Sequence, residues 1–164
     1  MSDVFSHQQR SFIMAQVHSK NTSLEIKIRK QLFKLGYRFR IHAKDLPGQP
    51  DLKLPKYKTI IAINGCFWHG HNCPRVKMPE SNREYWKAKI IKNKKRDKSN
   101  IKNLTESGWA CIVIWECAAK QKYAENLYNS ITSFLPNKKK FLMIGESRKG
   151  DLVKSYLLKD FLQL

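Results

Sequence analysis

Negative charge is what this sequence has least of. Thirteen Asp and Glu stand against thirty-two Lys and Arg, leaving a formal net charge of +19 and a pI near 10. An excess of that size repels itself unless a polyanion neutralises it, which points to a nucleic-acid partner. The plainer reading is a solvated lysine-rich surface from an AT-rich genome. Also missing is any uninterrupted apolar run long enough to span a bilayer, and the first ten residues carry no apolar core of a secretory signal. A membrane protein is thereby excluded and a cytoplasmic location expected. Cysteine is sparse: Cys66, Cys73, Cys111 and Cys117. In a cytosolic chain structural disulfides are disfavoured, so metal binding or burial is left. With no internal repeat and no linker, 164 residues at 41% hydrophobic content read as one globular domain.

What is present is concentrated between residues 65 and 73, which read Gly-Cys-Phe-Trp-His-Gly-His-Asn-Cys. Cys66, His69, His71 and Cys73 are soft ligands that could close a Cys2His2 zinc site unaided, and Cys117 offers a third thiol. The residues alone do not say which histidine is spare. Cys111 alternates within an apolar strand and reads as a buried thiol. Phe67 and Trp68 lie between the candidate ligands on a Gly-flanked loop, where burying both is hard to arrange. Apolar wedges of that kind can unstack a base step.

Around this loop the periodicities are legible. Thr22-Ser23-Leu24-Glu25 is a capping box opening a helix through Leu24, Ile28, Leu32 and Leu35 that Gly36 stops. Residues 37–42 alternate with period two, 51–54 form a short strand and 59–63 a more apolar one. Ser81-Asn82-Arg83-Glu84 repeats the capping pattern before a long helix ending near Ser107 and Gly108. Residues 109–115 are strongly apolar and extended. The order helix, three strands, helix, strand predicts a mixed sheet with helices on its faces. Beyond Ala118 the signals weaken: Leu127, Ile131 and Phe134 suggest a helix ending before Pro136, and Leu152, Tyr156 and Phe161 hint at a last one.

The few acids are informative. Asp51 heads a strand, where a side chain projects toward a bound ligand. Ile90, Asp97, Ile101 and Leu104 share one face of the long helix, so Asp97 faces inward although Lys94, Lys95, Arg96 and Lys98 surround it. A simple pairing with one of those cations is the plainer reading. An enzyme that cuts phosphodiesters needs negative charge to hold Mg²⁺ inside a positive groove, and Asp51 and Asp97 are the candidates. Glu25 is explained locally by its cap.

Taken together, these residues closely resemble the very-short-patch repair (Vsr) endonucleases. The likeness rests on Gly65-Cys66-Phe67-Trp68-His69 with Cys73, on Leu46-Pro47-Gly48-Gln49-Pro50-Asp51, and on Lys89-Ile90 followed by Asn93 and Arg96-Asp97. Arg10-Ser11, Met14, Val17, Lys20, Thr22 and Glu25 match as well, as does Trp115-Glu116-Cys117. The likeness covers residues 10–118. It implies a restriction-endonuclease-like core, with residues 1–21 a DNA-contacting arm, 22–118 the catalytic core and 119–164 a basic C-terminal extension. It further implies that Asp51 and the backbone carbonyl of Ile63 hold Mg²⁺. His69 is then the catalytic histidine, Asp97 its supporting acid, and Glu25 belongs to the site after all. Structural Zn²⁺ falls to Cys66, His71, Cys73 and Cys117, and Met14, Phe67 and Trp68 intercalate. Asn64, Lys89, Asn93 and Arg96 are expected against DNA. Ile63 stands where a Thr can occur, and Asn64 where some members carry a second histidine.

The resemblance implies nicking of the thymine strand at T:G mismatches left by 5-methylcytosine deamination. The expected partner is double-stranded DNA, with mismatch-repair proteins by analogy, for a monomer at the bacterial nucleoid. Two other readings fit the same residues. One is a restriction-type endonuclease of this fold acting on paired duplex, and the other a non-enzymatic zinc-containing nucleic-acid-binding protein.

Overall fold

The computed structural model describes residues 8, 9, 12, 20–137 and 139–164. Six strands form one mixed sheet in chain order: β1 (Arg40–Ile41), β2 (Leu52–Leu54), β3 (Thr59–Asn64), β4 (Ala110–Trp115), β5 (Phe141–Glu146) and β6 (Leu152–Ser155). The first three are antiparallel, β3, β4 and β5 run parallel, and β6 turns back antiparallel. Helices α1 (Ser23–Lys34), α2 (Arg83–Glu106), α3 (Ala124–Phe134) and α4 (Leu158–Gln163) complete a mixed α/β unit. This arrangement is consistent with a restriction-endonuclease-like fold. Among the described residues no helix is long and apolar enough to cross a membrane.

Two cores follow from the period-two alternation of β4. Ile112 and Ile114 point to one face, where Ile28 and Leu32 of α1 meet Leu127, Ile131 and Phe134 of α3. Cys111, Val113 and Trp115 point to the other, against Ile101 and Leu104 of α2 and Phe161 of α4. A strand buried on both faces needs apolar residues at every position, which is why 110–115 reads as an unbroken run.

The first capping box forms as expected, with Thr22 Oγ1 accepting from the Glu25 N–H and the Glu25 carboxylate reaching back. The second does not. Asn82 is the N-cap of α2 in a left-handed conformation without a side-chain cap bond, and Glu84 pairs with Lys87 at 2.7 Å instead. The strand expected over 37–42 shrinks to two residues, because Tyr37 turns onto Tyr57 and His42 takes a positive φ. The helix hinted at by Leu152, Tyr156 and Phe161 is divided into strand β6 and the short α4. Residues 119–164 thus supply α3, β5, β6 and α4, and β5 pairs in parallel with β4.

Candidate active site and metal centre

The β2–β3 hairpin positions the first acid. Its register pairs Leu52 with Ile61, so the start of β2 lies beside the carboxyl end of β3. Asp51 is held there by the Ile63 backbone N–H, which donates to its Oδ2 at 2.7 Å. Asp51 thus meets Ile63 through the latter's backbone nitrogen. Glu25, 4% exposed, and His42 complete a group whose ligand atoms all lie within 4.8 Å of one another. Burial pushes the Asp51 carboxyl up, and the Glu25 charge adds to this; the Ile63 N–H, His42 and Arg29 oppose it without reversing it. A buried carboxylate with so little compensation is one that a cation would stabilise.

Beyond β3 the chain enters the 65–73 loop, at the carboxyl end of parallel strands, where α/β sheets bind their ligands. His69 Nδ1 donates to Asp97 Oδ2. The carboxylate can only accept, so the Nδ1–H tautomer is fixed and Nε2 is left as the basic nitrogen. Asp97 projects from the apolar stripe of α2 with Ile90, Ile101 and Leu104 buried on the same face. Arg96 Nη2 lies 3.0 Å from its other oxygen. Burial is the largest single influence on Asp97 and acts upward, but His69 and Arg96 together hold the carboxyl below its ordinary value. Gly70 allows the loop to sit this close to α2. A Cβ there would stand 2.7 Å from Ile90 Cγ2 and 2.9 Å from Lys94 Cδ, at a φ of +66°. Lys94 and Lys98 border the same small pocket as His69 and Asp97, which Trp115, Phe161 and Leu164 also line. Partial burial pushes the Lys94 ammonium down, helped by Lys98.

The other half of the loop folds away from this dyad. Cys66, His71, Cys73 and Cys117 bring their ligand atoms within 4.8 Å of one another. His71 Nδ1 lies 3.6 Å from Cys66 Sγ and 3.4 Å from Cys117 Sγ. Zinc–sulfur bonds of about 2.3 Å and zinc–nitrogen bonds of about 2.0 Å in a tetrahedron give nitrogen–sulfur edges of roughly 3.5 Å, so the donor set fits that ion. The His71 ring stacks on Trp115 with centroids 4.4 Å apart. That stack needs Gly145 on β5, where a Cβ would meet Trp115 Cδ1 at 2.8 Å and His71 Nε2 at 2.9 Å. Cys117, hydrogen-bonded by the Cys66 thiol, by His71 and by the Glu146 N–H, is held well below the usual thiol range. The hydrogen bond to Cys117, burial and the charge on that neighbour push Cys66 up in turn. A site with one thiolate already favoured is poised for a soft cation. Cys111 is fully buried and outside this group.

Phe67 and Trp68 are half-buried rather than free. They meet edge-to-face at 5.2 Å, and both contact Trp86 of α2, at 5.4 and 5.8 Å. Asn93 Nδ2 donates to the Trp68 carbonyl at 2.9 Å, so this side chain sets the loop backbone. Lys89 and Arg96 are exposed on α2, and Asn64 is buried at the end of β3 opposite Trp115. Met14 lies outside the described residues.

Trp86, His42 and Arg29 belong to these constellations and are not singled out by sequence, whereas Lys94, read there as a cation around Asp97, lines the dyad's pocket. Trp86 carried a signal in principle, as an aromatic among charges at the start of a helix. His42 carried none, because its neighbours Glu25 and Asp51 are distant in the chain.

Among known proteins, the family described as DNA mismatch endonuclease Vsr matches residues 2–75. The type II nicking enzyme V.NmeAIP of Neisseria meningitidis serogroup A is 46% identical over 122 residues, 74% of this chain and 87% of its own. The type II nicking enzyme V.XorIIP of Xanthomonas oryzae pv. oryzae is 44% identical over 117 residues, covering 71% and 86%. The DNA mismatch endonuclease Vsr of Escherichia coli K12 is 38% identical over 120 residues, covering 73% and 77%.

Proposed function

Because this chain belongs to the Vsr family and is a DNA endonuclease, we propose that it nicks the thymine-bearing strand of T:G mismatches in duplex DNA. The observation that carries this reading is the division of the loop's two histidines: His69 is bonded to an acid of α2, while His71 faces the thiols. A purely structural zinc knot has no use for the first arrangement.

In this reading Asp51 and the main-chain carbonyl of Ile63 would hold Mg²⁺, and Cys66, His71, Cys73 and Cys117 would hold Zn²⁺. A divalent ion held there would polarise the phosphodiester and lower the pKa of a bound water. His69 Nε2 takes the proton of that water as it attacks phosphorus, and Asp97 stabilises the imidazolium that forms. The P–O3′ bond 5′ to the mismatched thymine breaks, and the leaving O3′ takes a proton from solvent water, giving a 3′-hydroxyl and a 5′-phosphate. Lys94 and Lys98 offset phosphate charge beside the dyad. Phe67, Trp68 and Trp86 form an aromatic wedge already assembled before DNA arrives, so the cost of ordering it is met in folding. A zinc ion on Cys66, His71, Cys73 and Cys117 would tie this loop to the turn that follows β4. Asp51, Glu25, His69 and Asp97 therefore form the proposed catalytic set, with Met14 as a further wedge.

The related proteins named type II nicking enzymes favour a second reading, nicking in a restriction context. Purified, zinc-loaded protein with Mg²⁺ and end-labelled duplexes separates the two. Nicking of the T:G duplex with the paired duplex left intact is expected; equal nicking of both would establish the second reading. An Asp51→Asn variant is expected to bind the mismatched duplex without nicking it, and an undiminished rate would sink the assignment.

A further inference from the structure

Three parallel strands deliver their connections to one end of the sheet. Strand β3 leads into the 65–73 loop, β4 into the turn that carries Cys117, and β5 into residues 147–151, which return the chain as β6. This last segment reads Ser147-Arg148-Lys149-Gly150-Asp151, the residue types of a tight turn. The Ser147 N–H donates to the Asp151 carbonyl at 2.8 Å, and the Gly150 N–H to the Ser147 carbonyl at 3.0 Å. Ser147 Oγ accepts from the N–H groups of Lys149 and Asp151 at 3.2 and 3.3 Å. Below the turn, the buried Glu146 carboxylate accepts from Lys120 Nζ at 2.7 and 2.5 Å. The Tyr123 hydroxyl shares its proton between Glu146 Oε1, at 3.1 Å, and the Gly150 carbonyl. The tip is thus held in one conformation by its own bonds, so little ordering cost is left for a ligand to meet.

Two exposed cations stand on it, Arg148 and Lys149. Arg148 Nε donates to Asn72 Oδ1 at 2.7 Å, and Asn72 belongs to the 65–73 loop, between His71 and Cys73. The bond uses Nε, so it orients the guanidinium and leaves over the two Nη groups, the pair that grips a phosphate bidentately. Among the described residues neither cation forms an ion pair. The nearby acids are engaged elsewhere: Glu146 with Lys120 and Glu116 with Arg75, while Asp151 acts on Lys122. Asn72 lies four residues beyond Trp68, a reach of at most about 14 Å. At a rise of about 3.4 Å per step, that is roughly four base pairs from the point where Trp68 enters a duplex.

We infer that the β5–β6 turn is a phosphate clamp, in which Arg148 and Lys149 grip the DNA backbone beside the step that the 65–73 loop opens. The inference rests on the reading of Phe67 and Trp68 as a DNA wedge and adds an anchorage to it, outside the acid cluster and the dyad. Unstacking a base step costs energy, and phosphate contacts set the register of a duplex without reading its sequence. An anchor bonded to the wedge's own loop therefore holds the duplex in place while the step is open. Asn72 is a positioning residue that acts through Arg148.

The test is the salt dependence of T:G duplex binding, read by fluorescence anisotropy with the full, zinc-loaded chain and no added Mg²⁺. Arg148→Ala and Lys149→Ala are each expected to flatten the plot of log affinity against log salt by about 0.9, and the double variant by about 1.8. Arg148→Lys keeps the charge and is expected to keep the parent's slope. Asn72→Ala removes the orienting bond but no charge, so weaker binding at the parent's slope is expected. A methylphosphonate, which neutralises one phosphate, is then moved stepwise along each strand. At one position within about five steps of the mismatch it is expected to weaken the parent while leaving Arg148→Ala unaffected. A double variant with the parent's slope overturns the inference, as do methylphosphonate effects that match in parent and Arg148→Ala at every position. If Arg148→Ala loses its zinc, Lys149→Ala decides alone, because no contact joins that side chain to the loop, and the parent's slope in it overturns the inference. Trp68→Ala is expected to weaken binding without changing the slope. Parental affinity in Trp68→Ala defeats the wedge reading and the clamp's placement together, whatever the slopes.

Discussion

At the dyad the decisive bond is His69 Nδ1–H to Asp97 Oδ2, because it sets both the tautomer and the direction of the imidazole. Replacing His69 by Ala removes the proposed proton acceptor but no ligand of the Cys/His group. Nicking is expected to fall about 10²–10⁴-fold with zinc per chain unchanged in elemental analysis; loss of zinc would put His69 back among the ligands. The same bond has a pH signature. Asp97 is held below its ordinary value of 3.8 in the folded chain. Its contribution to stability is thus present above the unfolded value and is lost as pH falls through the lowered folded one. With a side chain only 15% exposed, Asp97→Asn is expected to cost about 1–3 kcal/mol at neutral pH. In urea unfolding, the gap between parent and variant should close below pH 3.8. A gap that stays constant into strong acid would show that Asp97 is not held as a carboxylate.

At the scale of elements, the loop after β3 is fixed by parts remote in sequence: α2 on one side, Cys117 after β4 on another, and β5 behind the His71–Trp115 stack. Strand β5 carries the sharpest constraint, because a side chain at Gly145 has rigid rings on its near side. Gly145→Ala is expected to destabilise the fold by about 1–3 kcal/mol through overpacking and to weaken zinc retention, since His71 must tilt to make room. Thermal melting and zinc release to a chelator check this; unchanged values in both would mean the stack tolerates displacement. Helix α2 was readable in advance because Ile90, Ile101 and Leu104 recur on one face and Gly108 ends it. Its N-terminus was misread because Ser81-x-x-Glu84 has the letters of a capping box, whereas Asn82 takes a left-handed turn and Glu84 bonds Lys87. A motif of local residues predicts a cap only where the backbone presents the N–H groups to it.

Across the whole molecule the charge of +19 governs affinity and the sheet governs where it is applied. DNA binding measured without added Mg²⁺ is expected to weaken linearly in log affinity against log salt. If six to ten phosphates are contacted, the loss between 50 and 200 mM is about 10³–10⁵-fold. A flat salt response would remove the electrostatic reading of the lysine excess. Residues 119–164 show the limit of pattern reading at this scale. Strand β5 follows directly on a lysine run and β6 has four residues, so nothing local distinguishes an appendage from sheet continuation. Only the parallel pairing of Phe141–Ile144 with Cys111–Ile114 resolves it.

The sequence by itself determined the family, the basic character, the first helix with its cap, the apolar strands and the short list of acids, thiols and imidazoles. These are properties of composition, periodicity or near neighbours, so they survive without coordinates. Tertiary structure alone decided that His69 turns to Asp97 while His71 turns to Cys66 and Cys117, and that Trp86 joins Phe67 and Trp68. It also decided that Arg29 and His42 share a pocket with Glu25 and Asp51. In each case the partners are separated by elements whose packing brings them together, and hydrogen bonds of 3 Å cannot be inferred from residues tens of positions apart.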